Sequence, residues 1–446
     1  MTRLEMVMQN FDKYADYMND RVKTGIEENR KSFAYLTVKD SGGNPVKGAK
    51  IKAVQKSHDF KFGANLFMLD ELETEEKNEL YKKHFRETFN MATIPFYWNT
   101  LEPEQGKPRY DKNSPKVYRR PSPDLCMEFC EKYGIEPREH ALAYEHHFPN
   151  WLRGKSDREV KFLLEKRYAE IAERYAHRIP TIEVTNEMFH GPHMQITDFY
   201  RAPDFIEWCF KTAEKYFPAN QLVINEVTNV FSDPCGPTSY YYSIIANALA
   251  KGARIDAIGM QWHMFDKRDN EENRVARFFN PLFLYDTLDT YATFGKPIQI
   301  TEVTLAALSN EKEDEEVQAA LLEKLYRIWF SHKNVEQIIY WNLPDGYAYA
   351  AEPGDMSVGE NQYYGGLFRF DLSPKPAFSA LKNLIEKEWH TESEVVTNEG
   401  GIACFKGFHG KYDVTIVSDG KEIKKEIHLE DRKLKKPNLN EIEITL

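Results

Sequence analysis

The stretch "TIEVTNE" at residues 181–187 has the composition of a buried β-strand that ends in an amide and a carboxylate. Four of its first five residues are β-branched, and β-branched residues favour strands. The run then ends at Asn186 and Glu187, whose side chains either cap the next helix or take part in chemistry. The surrounding pattern decides between these interpretations.

Similar apolar runs alternate with longer amphipathic stretches between residues 59 and 390. In one such stretch (313–333), Val317, Leu321 and Leu325 recur at helical spacing. Eight buried strands alternating with helices predict an α/β protein, specifically a closed (β/α)8 TIM barrel. An open, doubly wound sheet is the alternative, and the sequence lacks the glycine-rich phosphate loops typical of it. The strand candidates are 60–66, 89–97, 139–145, 181–187, 221–227, 255–263, 296–303 and 335–343.

The two ends of the chain carry a different pattern. Residues 1–30 predict a polar amphipathic helix, whereas 31–57 and 391–446 alternate apolar and polar residues around turn signals. Each flank has too few strands for a stable sheet of its own. We therefore expect 31–57 and 391–446 to form one small accessory β-sandwich beside a catalytic barrel at 58–390. The alternative is that the two flanking segments form separate additions to the barrel and do not pair with each other.

Composition excludes several classes of partner. The net charge of −11 argues against nucleic acid or an anionic membrane. No apolar run reaches the ~20 residues of a membrane helix, and the N-terminus has no apolar signal-peptide core. We expect a cytoplasmic protein, or a secreted one whose leader has been removed; the sequence indicates no protein partner. An odd, scattered set of cysteines fits reduced thiols, namely Cys126, Cys130, Cys209, Cys235 and Cys404.

Polar or aromatic groups stand at the ends of five predicted strands. In a (β/α)8 barrel the carboxyl ends of all strands open on one face, where barrel enzymes have their active sites. These groups therefore predict a single active site. They are Asn186 with Glu187, Asn225 with Glu226, Gln261 with His263, Glu302, and Trp341 followed by Asp345.

Glu187 and Glu302 form the pair of carboxyl groups that glycoside hydrolysis requires. One carboxylic acid protonates the leaving oxygen, and a second, ionised carboxylate acts at the anomeric carbon. We expect Glu302 to be the ionised member, with His263 orienting it. Asn186 is suited to hold a sugar hydroxyl, and Trp341 offers a flat apolar surface to a sugar ring. Each residue taken alone is better explained as a helix cap or a packing residue.

Six segments resemble, in the same order, those of family 10 glycoside hydrolases, the retaining xylanase family. "IEVTNEMF" (182–189) is similar to the acid/base segment, and "QITEVTL" (299–305) to the nucleophile segment, which reads Ile-Thr-Glu-Leu-Asp in the family. The resemblance spans roughly residues 58–388. The other segments are "WNTLEPEQG" (98–106), "FPNWL" (148–152), "IGMQWHMF" (258–265), and "YWNLPDGYAY" with "GGLFRFDLSPKPAF" (340–378).

The resemblance implies a retaining glycoside hydrolase that cleaves β-linked, xylan-like oligo- or polysaccharide by double displacement. It implies Glu187 as the acid/base and Glu302 as the nucleophile, and it implies no metal and no organic cofactor. The expected partner is a carbohydrate. The expected substrate-binding residues are Asn186, His263, Gln261, Trp341, Trp98, Asn225 and Asp345, together with Glu145 and His147.

Glu145 and His147 lie in "YEHHFPNW" (144–151), which also invites a metal interpretation. On a strand these two side chains share one face and offer two ligands, fewer than the three of a catalytic zinc site. We therefore expect them to bind sugar hydroxyls. The aromatic stretch 347–366 is expected to be a loop over the barrel mouth, with a solvated surface loop as the alternative.

Several positions depart from the family pattern. "TIPFYW" (93–98) stands where the family has an Asn-Glu-x-Lys-Trp run, so Ile94–Tyr97 replace polar sugar ligands on the glycone side. Tyr144-Glu145 replaces the usual Trp-His pair, and Thr304 and Glu183 replace two aspartates. The alternatives are a non-catalytic saccharide-binding barrel and a β-glycosidase for a non-xylan substrate. An esterase is disfavoured because no Gly-x-Ser-x-Gly motif occurs.

Overall fold

The computed structural model describes residues 1–189, 196–229, 238–431 and 436–446. Most strands belong either to a central barrel or to two sheets beside it. In chain order they are β1 (Lys31–Lys39), β2 (Lys50–Gln55), β3 (Lys61–Asn65), β4 (Met91–Pro95), β5 (Glu136–His140), β6 (Thr181–Asn186), β7 (Gln221–Glu226), β8 (Ala257–His263), β9 (Ile298–Thr304), β10 (Val335–Tyr340), β11 (Glu392–Val396), β12 (Ile402–Phe408), β13 (Gly410–Ser418), β14 (Lys421–Leu429) and β15 (Glu441–Thr445).

Strands β3 to β10 form a closed parallel barrel in which each strand pairs with the next and β10 pairs back with β3. All residues of β4, β6 and β9 are buried, because helices cover the outside and side chains fill the inside. The predicted (β/α)8 fold is confirmed. The α-helices are α1 (Arg3–Lys13), α2 (Ala15–Asn29), α3 (Glu75–Thr88), α4 (Trp98–Leu101), α5 (Pro123–Tyr133), α6 (Asp157–Tyr175), α7 (Phe205–Tyr216), α8 (Tyr240–Ala250), α9 (Arg268–Val275), α10 (Pro281–Ala292), α11 (Lys312–Ser331) and α12 (Pro376–Asn383).

The third barrel strand lies earlier than predicted. β5 ends at His140, whereas the sequence pattern placed the strand at 139–145. Residues 142 and 143 still hydrogen-bond to β6, but the chain then turns into a short 3-10 helix at Glu145–His147. The prediction that Glu145 and His147 share a strand face is therefore wrong.

The N-terminal segment forms two helices rather than one. Tyr14 interrupts them with a non-helical backbone (φ −110°, ψ 27°). α1 begins with a capping box, in which the Thr2 hydroxyl accepts from the Glu5 backbone and the Glu5 carboxylate accepts from the Thr2 backbone. Both helices pack on α11, and Phe11 and Met18 belong to the barrel's hydrophobic cluster.

The two ends of the chain pair in two sheets, as predicted for the accessory sandwich. β1 lies between β12 and β15, and β2 lies between β11 and β13, which in turn pairs with β14. Inward side chains of both sheets share a hydrophobic cluster separate from that of the barrel, including Leu36, Ile51, Phe405, Val414 and Ile416.

Four cysteines, Cys126, Cys130, Cys209 and Cys404, are free thiols, and Cys235 lies outside the described residues. Among the described helices, none has the length and apolar character required to cross a membrane.

Candidate active site

Strand register brings the predicted residues together at the carboxyl end of the barrel. Asn186 at the end of β6 is the ladder partner of Asn225 in β7. Gln261 in β8 is likewise the partner of Glu302 in β9. The amide of Gln261 donates to Asn186 Oδ1 at 3.1 Å and to Glu187 Oε1 at 3.1 Å, so side chains join the ends of β6 and β8.

Glu187 follows directly after β6 and has a left-handed backbone (φ 47°). Such a conformation in a non-glycine residue costs on the order of 1–3 kcal/mol and is concentrated at functional sites. Its carboxylate accepts from Gln261 through Oε1 and from the Tyr144 hydroxyl through Oε2, the latter at 2.7 Å. The side chain is therefore held from two directions.

Glu302 is 3% exposed and lies between an amide and an imidazole. Asn225 Nδ2 donates to Oε1 at 3.0 Å, and His263 Nε2 lies 3.2 Å from Oε2. His263 in turn contacts the Thr304 hydroxyl through Nδ1 at 2.9 Å. Burial disfavours the charged form of this carboxyl and raises the pKa of Glu302 to about 8.

A buried hydrogen-bond network lies beneath the two glutamates. Glu183 accepts from Arg138, from His140 at 2.9 Å and from Asn225 at 3.2 Å. Burial acts to raise the pKa of Glu183, but His140 and Arg138 outweigh it and hold the pKa below its ordinary value. Asn225 donates both to this network and to Glu302, which couples the nucleophile candidate to the barrel interior.

One group of described residues has the spacing of a metal site. His140, Glu183 and Glu302 each place one ligand atom within 4.8 Å of the others. The Glu183 carboxylate already forms an ion pair with Arg138, whose side chain is fully buried. These residues are therefore best described as members of a hydrogen-bonded network.

The glutamates line an open cavity of about 360 Å³, within the size range of small-ligand sites. Seven residues predicted from the sequence lie in its wall: Asn186, Glu187, Gln261, His263, Glu302, Trp341 and His147. Other residues of the wall include Phe67, Tyr97, Arg119, Arg120, His140, Tyr144, Phe265, Tyr349 and Glu360. Tyr349 and Glu360 come from the 347–366 loop, as expected for a loop over the mouth.

Asn225 and Trp98 were predicted to bind substrate but do not line the cavity. Asn225 lies fully buried beneath it and positions Glu302 and Asn186. Trp98 begins α4, where its ring packs against Phe148 and its indole Nε1 donates to Glu102 at 2.8 Å. Both side chains serve packing and positioning in this structure, and their contact with substrate stays a prediction.

Glu145 and Asp345 also lie outside the cavity wall. The 3-10 turn directs Glu145 to Thr197, which donates from its backbone and hydroxyl at 3.3 Å, and burial raises the pKa of Glu145 to about 7. Asp345 is buried in an ion pair with Lys375 at 2.5 Å and accepts from the Gly366 backbone. It fixes the loop after β10, and its contact with substrate stays a prediction.

Sequence reasoning did not identify the roles of several wall residues. Tyr144 and Tyr97 were noted only as departures from the family pattern, yet they bond to Glu187 and His140 respectively. Arg119 and Arg120 were not singled out at all. The signal was present in "YRRP" (118–121), where two arginines precede a proline, but adjacent arginines are usually surface residues.

Comparisons with known proteins agree with this geometry. The sequence profile described as "Glycosyl hydrolase family 10" matches residues 51–384, more than half of the chain. The anti-sigma-I factor RsgI6 of Acetivibrio thermocellus is 26% identical over 92% of this chain and 47% of its own length. Endo-1,4-beta-xylanase 2 of Arabidopsis thaliana is 25% identical over 86% of this chain and 32% of its own. The chain thus spans about half or less of these relatives.

Solved structures show the same fold. The crystal structure of xylanase 10B from Thermotoga petrophila in complex with xylobiose superimposes with a TM-score of 0.57 at 22% identity. The match covers 74% of this chain and 95% of that one. The barrel is therefore shared with this structure, and the accessory sheets account for part of the remainder.

Proposed function

We propose that this chain, which belongs to glycosyl hydrolase family 10, hydrolyses a β-linked, xylan-like oligo- or polysaccharide with retention of configuration. The observation that carries the proposal is that Glu187 and Glu302 line one cavity at the carboxyl end of a (β/α)8 barrel. The names of relatives such as endo-1,4-beta-xylanase 2 support the substrate class.

The proposed reaction is a double displacement. Glu302 attacks the anomeric carbon while Glu187 gives its proton to the leaving oxygen, which yields a covalent glycosyl-enzyme. Glu187 then removes a proton from water, and the water displaces Glu302 from the sugar. Gln261 and Tyr144 hold Glu187 in place, and Asn225 and His263 hold Glu302.

The segment at residues 94–97 argues against plain xylan as the substrate. Ile94 and Phe96 are fully buried in the barrel's hydrophobic cluster, so they offer no hydrogen bonds to a sugar. Tyr97 instead faces the cavity. A β-glycosidase for a substrate other than plain xylan is therefore the alternative within the same mechanism.

A saccharide-binding barrel without turnover is the second candidate. The raised pKa of Glu302 favours it, because a protonated carboxyl is no nucleophile. The similarity to an anti-sigma factor, a relative not named as an enzyme, is in line with it. In that case the cavity would bind saccharide and release it unchanged.

Turnover separates the two candidates. Wild type and Glu302→Gln are assayed on a panel of aryl β-xylosides, β-glucosides and xylo-oligosaccharides. We expect Glu302→Gln to lose at least ~10³-fold in kcat, since it removes the nucleophile. The matched control is Glu336→Gln, which changes a carboxyl group of β10 held by Gln221 and Gln299, away from the cavity. Binding without any Glu302-dependent release would favour the saccharide-binding barrel.

The stereochemistry tests the double displacement separately. We expect the β-anomer as the first product when hydrolysis is followed by proton NMR. Azide should rescue Glu187→Ala on substrates with a good leaving group, because the glycosyl-enzyme still forms and azide needs no base. An initial α-anomer would contradict retention.

A further inference from the structure

One end of the cavity carries two arginines amid aromatic rings; we call it the arginine end and define it by Arg119, Arg120, Tyr97, His147 and Tyr349. The guanidinium of Arg120 lies 4.0 Å from the ring centre of Tyr97 and 5.4 Å from that of Tyr349. The Tyr97 and His147 rings are 4.1 Å apart. These contacts place four of the five side chains in one cluster, and Arg119 lines the same cavity next to Arg120 in the chain.

Arg120 is a buried cation that has no counter-ion among the described residues. It is 5% exposed, yet within the described part of the chain its side chain makes a single hydrogen bond, from Nη1 to the Arg119 carbonyl at 2.8 Å. Its Nε is buried without an acceptor, and no carboxylate of the described residues forms an ion pair with it. A guanidinium has five N–H donors, and a buried charge is costly unless it is paired. Arg120 therefore faces the cavity with unmet donors and an unneutralised charge.

Arg119 adds a second positive charge beside neutral acceptors. Its Nη1 donates to the Tyr347 carbonyl and its Nη2 to Asn342 Oδ1 at 3.0 Å. The nearby Glu360 carboxylate bonds to the amide of Asn342 at 2.5 Å rather than to either guanidinium. Among the described residues neither arginine has an acidic partner, so the arginine end is cationic while the centre of the cavity holds the two glutamates.

We propose that the arginine end binds the carboxylate of a uronic acid within the saccharide substrate. This inference rests on the proposed function, since it names the substrate class of the same cavity. Sugar hydroxyls would meet the free N–H donors but leave the charge unpaired, whereas a carboxylate meets both and matches the planar guanidinium.

The other members of the arginine end suit a sugar that carries this group. The half-exposed ring of Tyr349 offers an apolar surface for a sugar face. His147 is 5% exposed and its Nδ1 has no partner in the described structure. It is available for one ring hydroxyl. A carboxylate on a sugar ring thus finds a cation, a ring surface and a polar atom within one cluster.

Binding is tested without turnover. Calorimetry on Glu302→Gln compares a glucuronic-acid-substituted xylo-oligosaccharide with its carboxyl-reduced counterpart, which has the same linkages and no charge. We expect the acidic ligand to bind about 10- to 100-fold more tightly, as for a charged hydrogen bond. Equal Kd values for the two ligands would overturn the proposal. So would inorganic phosphate displacing the acidic ligand at equal concentration, because the site would then recognise any anion.

Substitution of Arg120 locates the effect. In the same background, Arg120→Gln should reduce the preference for the acidic ligand to within about threefold, and Arg120→Lys should retain part of it because the charge remains. Arg158→Gln, which removes an exposed arginine from α6, is the control for net charge. Should Arg120→Gln fail to fold, Arg120→Lys is compared with the protein that retains Arg120. An unaltered preference for the acidic ligand after loss of the planar guanidinium would contradict the proposal.

The turnover of the same two ligands separates this proposal from the proposed function. We expect kcat/KM of the wild type to favour the acidic substrate, with the ratio lowered at least about tenfold in Arg120→Gln. Glu302-dependent hydrolysis of both substrates at equal rates would leave the glycosidase standing and overturn the uronate site. Preferential binding of the acidic ligand without hydrolysis would support the uronic acid site and contradict the glycosidase.

Discussion

At Glu302, burial and hydrogen bonding act on the carboxyl group in opposite directions. Burial disfavours the charged form, whereas the amide of Asn225 stabilises it. The balance matters because the nucleophile must be ionised to attack, whereas the acid/base must begin protonated. Environment, more than residue type, assigns the roles of two identical side chains.

The pH dependence of kcat/KM should report this balance. Since Glu302 must lose its proton to react and burial raises its pKa to about 8, activity should be lost as the pH falls through a value well above the ordinary 4.5. The measurement is a pH–rate profile on a neutral aryl glycoside. An acidic limb at or below 4.5 would contradict the raised pKa.

The same residue should lower stability at high pH. A folded-state pKa above the unfolded value gives a stability contribution that is complete at low pH and lost as the pH rises through the folded pKa. Between pH 5 and pH 9 the wild type should therefore lose stability relative to Glu302→Gln, by about 1–4 kcal/mol. Urea unfolding of both proteins at the two pH values measures this difference. A pH-independent difference would contradict it.

Tyr144 should position Glu187. Its hydroxyl donates to the carboxyl group of Glu187 at 2.7 Å, so Tyr144→Phe should lower kcat by roughly 10- to 100-fold through loss of the hydrogen bond that positions this group. Tyr326→Phe is the control, because the buried Tyr326 hydroxyl has no partner in the described structure. Steady-state kinetics on an aryl glycoside compare the two. An equal effect of both substitutions would indicate general loss of packing.

At the scale of elements, the sequence predicted the barrel because strand and helix patterns repeat along the chain. The error at β5 has a local cause: residues 141–144 are apolar or aromatic, and two of them still bond to β6 after the regular strand has ended. Glu145 was consequently assigned to the wrong face. Asp345 and Trp98 illustrate a second limit of sequence patterns. A polar or aromatic residue near a strand end gives the same pattern whether its side chain faces a ligand or a neighbouring loop.

Arg120 illustrates what sequence alone did not provide. Its burial depends on aromatic side chains from other segments, Tyr97 and Tyr349, which only the closed barrel brings to it. Glu187 and Glu302 were easier to identify, since both stand at ends of strong strand patterns. Cavity residues at the ends of strands were thus predictable, whereas the arginines carried by a loop were not.

The ion pair between neighbouring strands β5 and β6 should be important for stability. Arg138 and Glu183 are both fully buried, so Arg138→Met would leave a buried carboxylate with only His140 and Asn225 as partners. We expect a loss of about 3–5 kcal/mol in the free energy of unfolding. Arg158→Met on the exposed face of α6 should change it by less than about 0.5 kcal/mol. Urea denaturation measures both, and similar values would contradict the prediction.

At the scale of the whole molecule, the barrel and the accessory sandwich have separate hydrophobic clusters. Ile416→Ala should destabilise the sandwich by about 2–5 kcal/mol, because Ile416 is fully buried in its cluster. We expect kcat/KM to remain within about twofold of wild type, since none of the described residues of the cavity wall belongs to this cluster. Calorimetric unfolding and kinetics test this together. A comparable fall in kcat/KM would show that the sandwich supports the cavity.

The pairing of β1 with β12 and β15 also sets an order of events during synthesis. A ribosome releases β1 and β2 first, then the whole barrel, and only afterwards the strands between residues 392 and 445 that pair with them. Two strands therefore remain with unpaired edges while the barrel is being made, and such edges are prone to aggregate. A chain interrupted after the barrel would carry a complete cavity and an incomplete sandwich, so messages cut short should yield a catalytic but poorly soluble product.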